Sequence, residues 1–460
     1  MKKILFFPGH SRAAYKYGMI GEVLLRLMEN KENDIYYLDC NNQIKSPCGL
    51  NRALHWGYCE KCYKPCLKVA KACGINDDKI LKIEHVKPIK FPNFKTIEEV
   101  LNYEYDGYKM GLAPVSCTMT VRRDYDFDVK KNLKLLHSYL KTEYIILKNI
   151  ERLNNIYNFD EFHIFNGRMS SSYPFVSYAL KNNVDYFLYE GGANINKYRV
   201  VKNDLLHNFY FWKNSIKELY EMDAPNKNEL AIKFFNQHAG AKEETKKSNI
   251  ITYTQEQQKN LLPKGFDNKK ENIAIFNTSI DEVAAFESWK HPFAKNENEV
   301  LENLFEHYKD DNNKHFYLRI HPNLKKAKRN KTRQMVEIEK FKKYKNLTII
   351  EPDEKIDSYA LLKATDKVVV SYSTIGCEAT FWGKPSIVVG KAPYEDTDCS
   401  YIAESYEKLY SLIDTKNLPP KPKENSYPYG YFNQCYGEDY KYCKAKSRSE
   451  CSIAGLEFKD

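Results

Sequence analysis

The stretch KVVVSYSTIGCEATFWGKPSIVVG, residues 367–390, sets two apolar runs around a short segment rich in hydroxyl side chains. KVVV (367–370) and SIVVG (386–390) are β-branched runs bounded by turn residues, as expected of strands buried on both faces. Between them, Ser371, Ser373 and Thr374 precede a short helix-compatible segment that Gly383-Lys384-Pro385 stops. Strand, helix and strand in that order make a parallel βαβ unit. The loop entering such a helix gathers free backbone N–H groups and the positive end of the helix dipole, and the three hydroxyls add donors for a phosphate. Glu378 falls near the first helical turn, where a carboxylate accepts hydrogen bonds from sugar hydroxyls. Plain N-capping by Ser373 or Thr374 explains the same residues, so the rest of the chain must separate the two readings.

At 460 residues the chain exceeds one ordinary core, and two domains are expected. Hydrophobic residues at 42% and charged residues at 29% give a soluble globular balance rather than a disordered one. Lys and Arg number 71 against 61 Asp and Glu, a net charge of +10 that suits phosphate-bearing ligands or an anionic membrane face. Charge alone permits nucleic-acid binding, but no RNP-like, helix-turn-helix or paired zinc-finger pattern accompanies it, and no nucleic-acid partner is expected. The apolar run before Pro8-Gly9 is too short for a signal-peptide core or a membrane span. The expected location is cytoplasmic, with peripheral contact at the inner membrane as the variant of that reading.

Working outward, KILFFPG (3–9), a helical pattern over 17–30 and DIYYLDC (34–40) alternate strand and helix. EFHIFNG (161–167), YPFVSYALKNN and VDYFLYEGG (184–192) repeat the rhythm, and 125–157 predicts one or two long helices. A polar stretch near 236–270 reads as a connection. IAIFNTS (273–279), a helix at 297–309, HFYLRIHPN (315–323), a basic helix at 324–344 and LTIIEP (347–352) then form a second α/β series. The basic helix reads as a solvated face, with contact to anionic lipid or acidic glycan as the alternative. The expected organisation is residues 1–245 as an acceptor-side Rossmann-like domain with a Cys-rich insertion (46–75), residues 246–415 as a nucleotide-sugar-binding Rossmann-like domain, and residues 416–460 as an irregular tail. Two facing Rossmann-like domains with parallel sheets are the GT-B arrangement, whose ligand sits between the carboxyl ends of the strands.

Three further constellations bear on chemistry. In YLRIHPN (317–323), Arg319 and His321 stand two residues apart at the end of a strand, placed to bind a phosphate or ribose. FNGRMSSSYPF (165–175) and YFLYEGGANINKYR (186–199) each end a strand in a glycine turn, carrying Arg168 and Glu190. In parallel neighbours these two meet at one sheet edge, either as a structural ion pair or as a general base on an acceptor hydroxyl with its partner. FNTSIDE (276–282) brings Asn277, Ser279, Asp281 and Glu282 to another strand-to-helix junction, where plain capping is the alternative.

Taken in order, Glu190-Gly191-Gly192, His321-Pro322 and Ser371 through Thr374 resemble the motifs of bacterial surface-polysaccharide glycosyltransferases, namely capsule-type Kdo transferases and bacterial sialyltransferases. FNGR and STIGCEATFWGKP look like the capsule-synthesis members. Position 191 is Gly where that family often has a second acidic residue. The resemblance implies Glu190 as base, His321 on the donor phosphate, and Ser373 with Thr374 on the nucleotide phosphate. It also implies a CMP-activated Kdo-like or sialic-type donor, a glycan or lipid-linked acceptor, and no catalytic metal. A CDP-glycerol glycerophosphotransferase of teichoic-acid type has similar segments, and a non-catalytic glycan-binding protein would keep the fold. Cys40, Cys48, Cys59 and Cys62 form C-x7-C-x10-C-x2-C, followed by Cys66 and Cys73; structural zinc and plain thiols are both open.

Overall fold

A computed structural model of the chain describes residues 1–9, 13–48, 56–240 and 256–459, without the side chains of 56–58 and 326. Much of the expected polar connection, residues 241–255, lies outside them. The described strands are β1 (Lys2–Phe7), β2 (Asn33–Asp39), β3 (Ile80–Lys82), a small hairpin of β4 (Glu104–Tyr105) and β5 (Tyr108–Lys109), β6 (Glu161–Phe165), β7 (Asp185–Gly191) and β8 (Lys197–Lys202). They continue with β9 (Glu271–Phe276), β10 (Lys314–Arg319), β11 (Leu347–Ile350), β12 (Lys367–Val370), β13 (Ser386–Val388), β14 (Tyr401–Ile402) and, from the tail, β15 (Glu438–Asp439), β16 (Cys443–Ser447), β17 (Glu450–Ile453) and β18 (Leu456–Lys459).

The first sheet runs β15-β8-β7-β6-β1-β2-β3, with β3, β2, β1, β6 and β7 parallel, β8 antiparallel to β7, and β15 antiparallel to β8 at the edge. The second runs β11-β10-β9-β12-β13-β14, parallel throughout. Alternation of side chains explains why the parallel strands read as continuous apolar runs. Ile4 and Phe6 enter one core and Leu5 and Phe7 the other; Ile273 and Ile275 likewise part from Ala274 and Phe276. In both sheets the chain starts centrally, builds outward and returns on the other side, between β1 and β6 and between β9 and β12. Ligand crevices form at such reversals, outside the carboxyl ends of the strands. Register keeps those ends level: Phe276 pairs with both Arg319 and Val370. The architecture is the expected GT-B arrangement of two Rossmann-like halves.

Two segments, the basic stretch and the tail, depart from expectation, and residues 125–157 follow it. The basic stretch 324–344 is broken into Lys325–Arg329 and Arg333–Lys340, flanked by 3-10 turns, because Lys331 turns the chain at φ 49°. Residues 125–157 resolve into one long helix, Val129–Tyr157, N-capped by Asp128. The tail is not irregular. Helix Tyr427–Cys435 packs on helix Lys227–Gly240, β15 extends the first sheet, and β16 to β18 form a sheet against helix Ala14–Glu29. The clamp is Glu22, fully buried, whose carboxylate accepts the backbone N–H groups of Lys441 (2.8 Å), Tyr442 (2.8 Å) and Cys443 (3.0 Å) and the Arg26 guanidinium (2.8 Å). Helices Phe209–Glu221 and Lys227–Gly240, which lie within 1–245, bury Ile216, Ala231, Phe234 and Phe235 in a core shared with the second sheet. Among the described residues no helix is long and apolar enough to cross a membrane.

Glu22→Ala strands three backbone N–H groups and should lower stability by about 3 kcal/mol. The denaturation midpoint should fall, and protease should cut first within 437–459; first cuts elsewhere would count against the clamp.

Candidate functional site

Two cavities of about 700 and 650 Å³ open at the strand ends. Asn166, Arg168, Glu190 and Arg199 line the first; Asn277, Ser279, Arg319, His321, Ser373 and Thr374 line the second. Trp212, Glu282, Val283, Tyr429 and Asn433 line both, so the two are one crevice. Glu190 and the Ser373 loop therefore share a cleft. Contacts across it fix the spacing: Arg123 pairs with Asp281 (2.8 Å), Arg333 with Asp126 (2.8 Å), and the Trp289 indole N–H donates to the His207 carbonyl (2.7 Å).

On the first side, β6 and β7 are parallel neighbours as expected, but Arg168 and Glu190 do not pair. The Asn166 amide donates to Glu190 Oε2 (2.5 Å), while the Arg168 guanidinium donates to the hydroxyls of Ser116 (2.9 Å) and Thr120 (3.2 Å). The turn decides this. Asn166 and Gly167 both take left-handed backbone, at φ 66° and 81°, which swings the asparagine toward β7 and Arg168 away from it. A Cβ at Gly167 would stand 2.3 Å from Leu188 Cδ1.

On the second side, Asn277 Oδ1 accepts the His321 backbone N–H (2.7 Å), and among the described residues its buried Nδ2 has no partner. His321 Nδ1 accepts from the Asn323 N–H (3.1 Å), which puts the ring proton on Nε2. Burial, with Arg319 and Arg123 nearby, pushes His321 down to about 4, so the imidazole is a neutral donor near pH 7. Arg319 lines the cavity, yet it donates to the carbonyls of Glu351 (2.5 Å) and Glu354 (3.1 Å). Ser279 donates to Asp281 (2.6 Å), and Ser373 Oγ accepts the Ile375 N–H (3.3 Å).

Two expected donor-binding residues lie beneath the surface instead. Ser371 is buried under the loop and lines neither cavity. Glu378 is fully buried and accepts from Thr374 (3.1 Å), His238 (3.0 Å) and the Tyr359 hydroxyl. Burial alone would raise its carboxyl, but His238, Tyr359 and Thr374 together hold it below its ordinary value. With its oxygens so engaged, Glu378 orients the Thr374 loop and cannot meet a sugar.

Sequence reading missed Asn166, Arg199, His207, Trp212, Tyr429 and Asn433. Asn166 had a signal, since Asn-Gly after a strand marks a left-handed turn. Arg199 had none: it reaches the cleft because β8 pairs antiparallel with β7, setting Arg199 opposite Glu190. In the insertion, Cys62 lies beside Cys66 with Cys48 and Cys40 near, and Cys59 is less buried; burial and the neighbouring thiols push Cys40 and Cys62 up, keeping them protonated. Among the described residues no three His, Cys, Asp or Glu side chains converge as a metal site requires.

No family model matches the chain, and no curated protein sequence matches it. Similar solved structures include the KpsC beta Kdo 2,4 transferase of Thermosulfurimonas dismutans, at 13% identity and TM-score 0.38, covering 62% of this chain and 87% of that one. MnaA of S. aureus with UDP, at 13% and 0.31, covers 94% of each chain. UDP-GlcNAc 2-epimerase of Neisseria meningitidis with UDP-GlcNAc, at 11% and 0.27, covers 94% of this chain and 97% of that one. Likenesses of this size carry no inference about activity.

Glu297, buried under the second cavity's loops, accepts the Thr278 N–H (3.4 Å), and burial pushes its carboxyl up to about 8. The folded state holds this proton to about pH 8, whereas an unfolded chain releases it near 4.5. Its contribution to stability therefore falls between those values as pH rises, at about 1.4 kcal/mol per pH unit. Glu297→Gln should gain on the parent protein from pH 5 to 8 in urea unfolding; a constant difference would show that the carboxyl is already ionised.

Proposed function

We propose that the chain is a glycosyltransferase of capsule or lipopolysaccharide synthesis that takes a CMP-activated Kdo-like or sialic-type acid as donor. The observation that carries the reading is the shared crevice, with a carboxylate from one sheet's strand end and neutral and hydroxyl donors from the other's. The nucleotide half of the donor occupies the second cavity, its phosphate met by His321 Nε2–H, the unpartnered Asn277 amide and the Ser373–Thr374 loop. A glycan or lipid-linked acceptor enters the first cavity. Its hydroxyl gives its proton to Glu190, held in place by Asn166, as the oxygen bonds to the anomeric carbon. The bond from that carbon to the phosphate oxygen breaks, and CMP leaves with the electron pair. Donors fixed before the reaction stabilise this charge more than mobile water does. The proposal includes no catalytic metal and a cytoplasmic site of action, with peripheral membrane contact through the acceptor.

Incubation with CMP-Kdo, CMP-sialic acid and CDP-glycerol should release CMP from a CMP-sugar in the presence of acceptor glycan. Turnover of CDP-glycerol instead would move the protein to the glycerophosphotransferase reading. Glu190→Gln should lower transfer by roughly 10²–10⁴-fold while CMP still binds, and undiminished turnover would remove Glu190 from the base role. His321→Ala should weaken CMP binding by about tenfold, measured by titration calorimetry.

A further inference from the structure

The first cavity holds cationic groups that the transfer chemistry does not use. Arg168 is 3% exposed and bonds, among the described residues, only to neutral hydroxyls through its side chain, while its buried Nε has no partner. Arg199 stacks over Trp212 (4.1 Å) and Tyr436 (5.5 Å), and its Nε and Nη1 are likewise buried without partners. Neither guanidinium forms a salt bridge among the described residues. His207 lies near both on the cavity wall, and among the described residues its buried Nδ1 has no partner. Burial, reinforced by the charges of Arg168 and Arg199, pushes this imidazole well below its ordinary value. Lys16, over the Phe165 ring (5.1 Å), lines the same space. The carboxylates facing it are Glu190, bonded to Asn166, and Glu282.

Hydroxyl hydrogen bonds satisfy N–H groups but do not neutralise a charge. A buried, unpaired guanidinium costs several kcal/mol unless an anion offsets it. Two of them near a neutral imidazole on one wall of an open cavity, with Glu190 offsetting the charge of Arg199 only in part, make a receptor for an oxyanion. Arg favours this task because its planar fork meets a carboxylate or phosphate with two parallel bonds.

We propose that Arg168, Arg199 and His207 form an anion subsite, separate from the nucleotide cavity, that seats a carboxylate or phosphate group of the acceptor beside Glu190. The acceptor is then an acidic one, a sugar acid or a saccharide carrying a phosphate, and the subsite sets which hydroxyl reaches the base. This rests on the acceptor-side reading of the first cavity. Unlike the phosphate contacts of the donor, it is independent of nucleotide identity.

The test is ligand-observed NMR titration of the full chain with methyl glucuronide, glucose 1-phosphate and neutral methyl glucoside. At least one anion should bind at least tenfold more tightly than methyl glucoside, and which anion does so distinguishes a carboxylate from a phosphate acceptor. Arg199→Ala should erase that preference and Arg199→Lys should keep part of it, with CMP affinity unchanged in both as the check on folding. If Arg199→Ala fails to fold, Arg168→Gln and Arg199→Lys together must still reduce the preference at least threefold. Equal binding of all three sugars, no anion binding at 20 mM, or full preference retained in the variants overturns the subsite. Loss of CMP binding in the parent protein, with the anion preference intact, would overturn the nucleotide reading and leave the subsite standing.

Discussion

The close crossing of helices Tyr427–Cys435 and Lys227–Gly240 governs the cleft. A Cβ at Gly430 would stand 2.5 Å from Phe235 Cε2 and 2.9 Å from the Ala231 carbonyl, so any larger residue would force the helices apart. That approach seats Phe235 against Phe381 (4.3 Å between ring centres) at the end of helix Ile375–Phe381, and brings His238 to Glu378. Glu378 in turn fixes Thr374. The tail thus sets the position of the proposed phosphate loop through a relay of packed rings and one buried carboxylate. It also supplies Tyr429 and Asn433 to both cavities.

Charge is handled differently on the two walls. On the second, the buried acids are enclosed: Glu378 is bonded to three side chains, and Glu297 is held protonated by burial. Arg319 is spent on backbone carbonyls. Besides Arg123 (paired with Asp281), Arg319 and Glu282, what faces the cavity is neutral or dipolar, His321, Asn277, Ser373 and Thr374 among it. On the first wall, among the described residues, neither Arg168 nor Arg199 forms a salt bridge, and the carboxylate of Glu190 accepts from the Asn166 amide.

Much of this was legible in order along the chain. Apolar runs such as KILFF and KVVV are readable as parallel strands because burial on both faces removes polar residues altogether. Strand ends followed by Gly, Pro or hydroxyl residues, as at Asn166-Gly167, His321-Pro322 and Ser371–Thr374, are readable as cleft loops because parallel topology sends all such ends to one edge. The tail was not legible. Its short strands lack a long alternating pattern and gain their stability from helix Ala14–Glu29 and the Glu22 carboxylate, more than 400 residues away in sequence.

By itself, then, the sequence determined that there are two parallel α/β halves and which loops border their crevice, since burial and backbone chemistry act over a few residues. Tertiary structure alone decided which of the polar residues line the crevice. Glu378 and Ser371 went under the surface, Arg168 turned away from Glu190, and Arg199 arrived from an antiparallel strand. Those outcomes depend on long-range pairing and on competition among buried partners for each carboxylate and guanidinium, which no local pattern encodes.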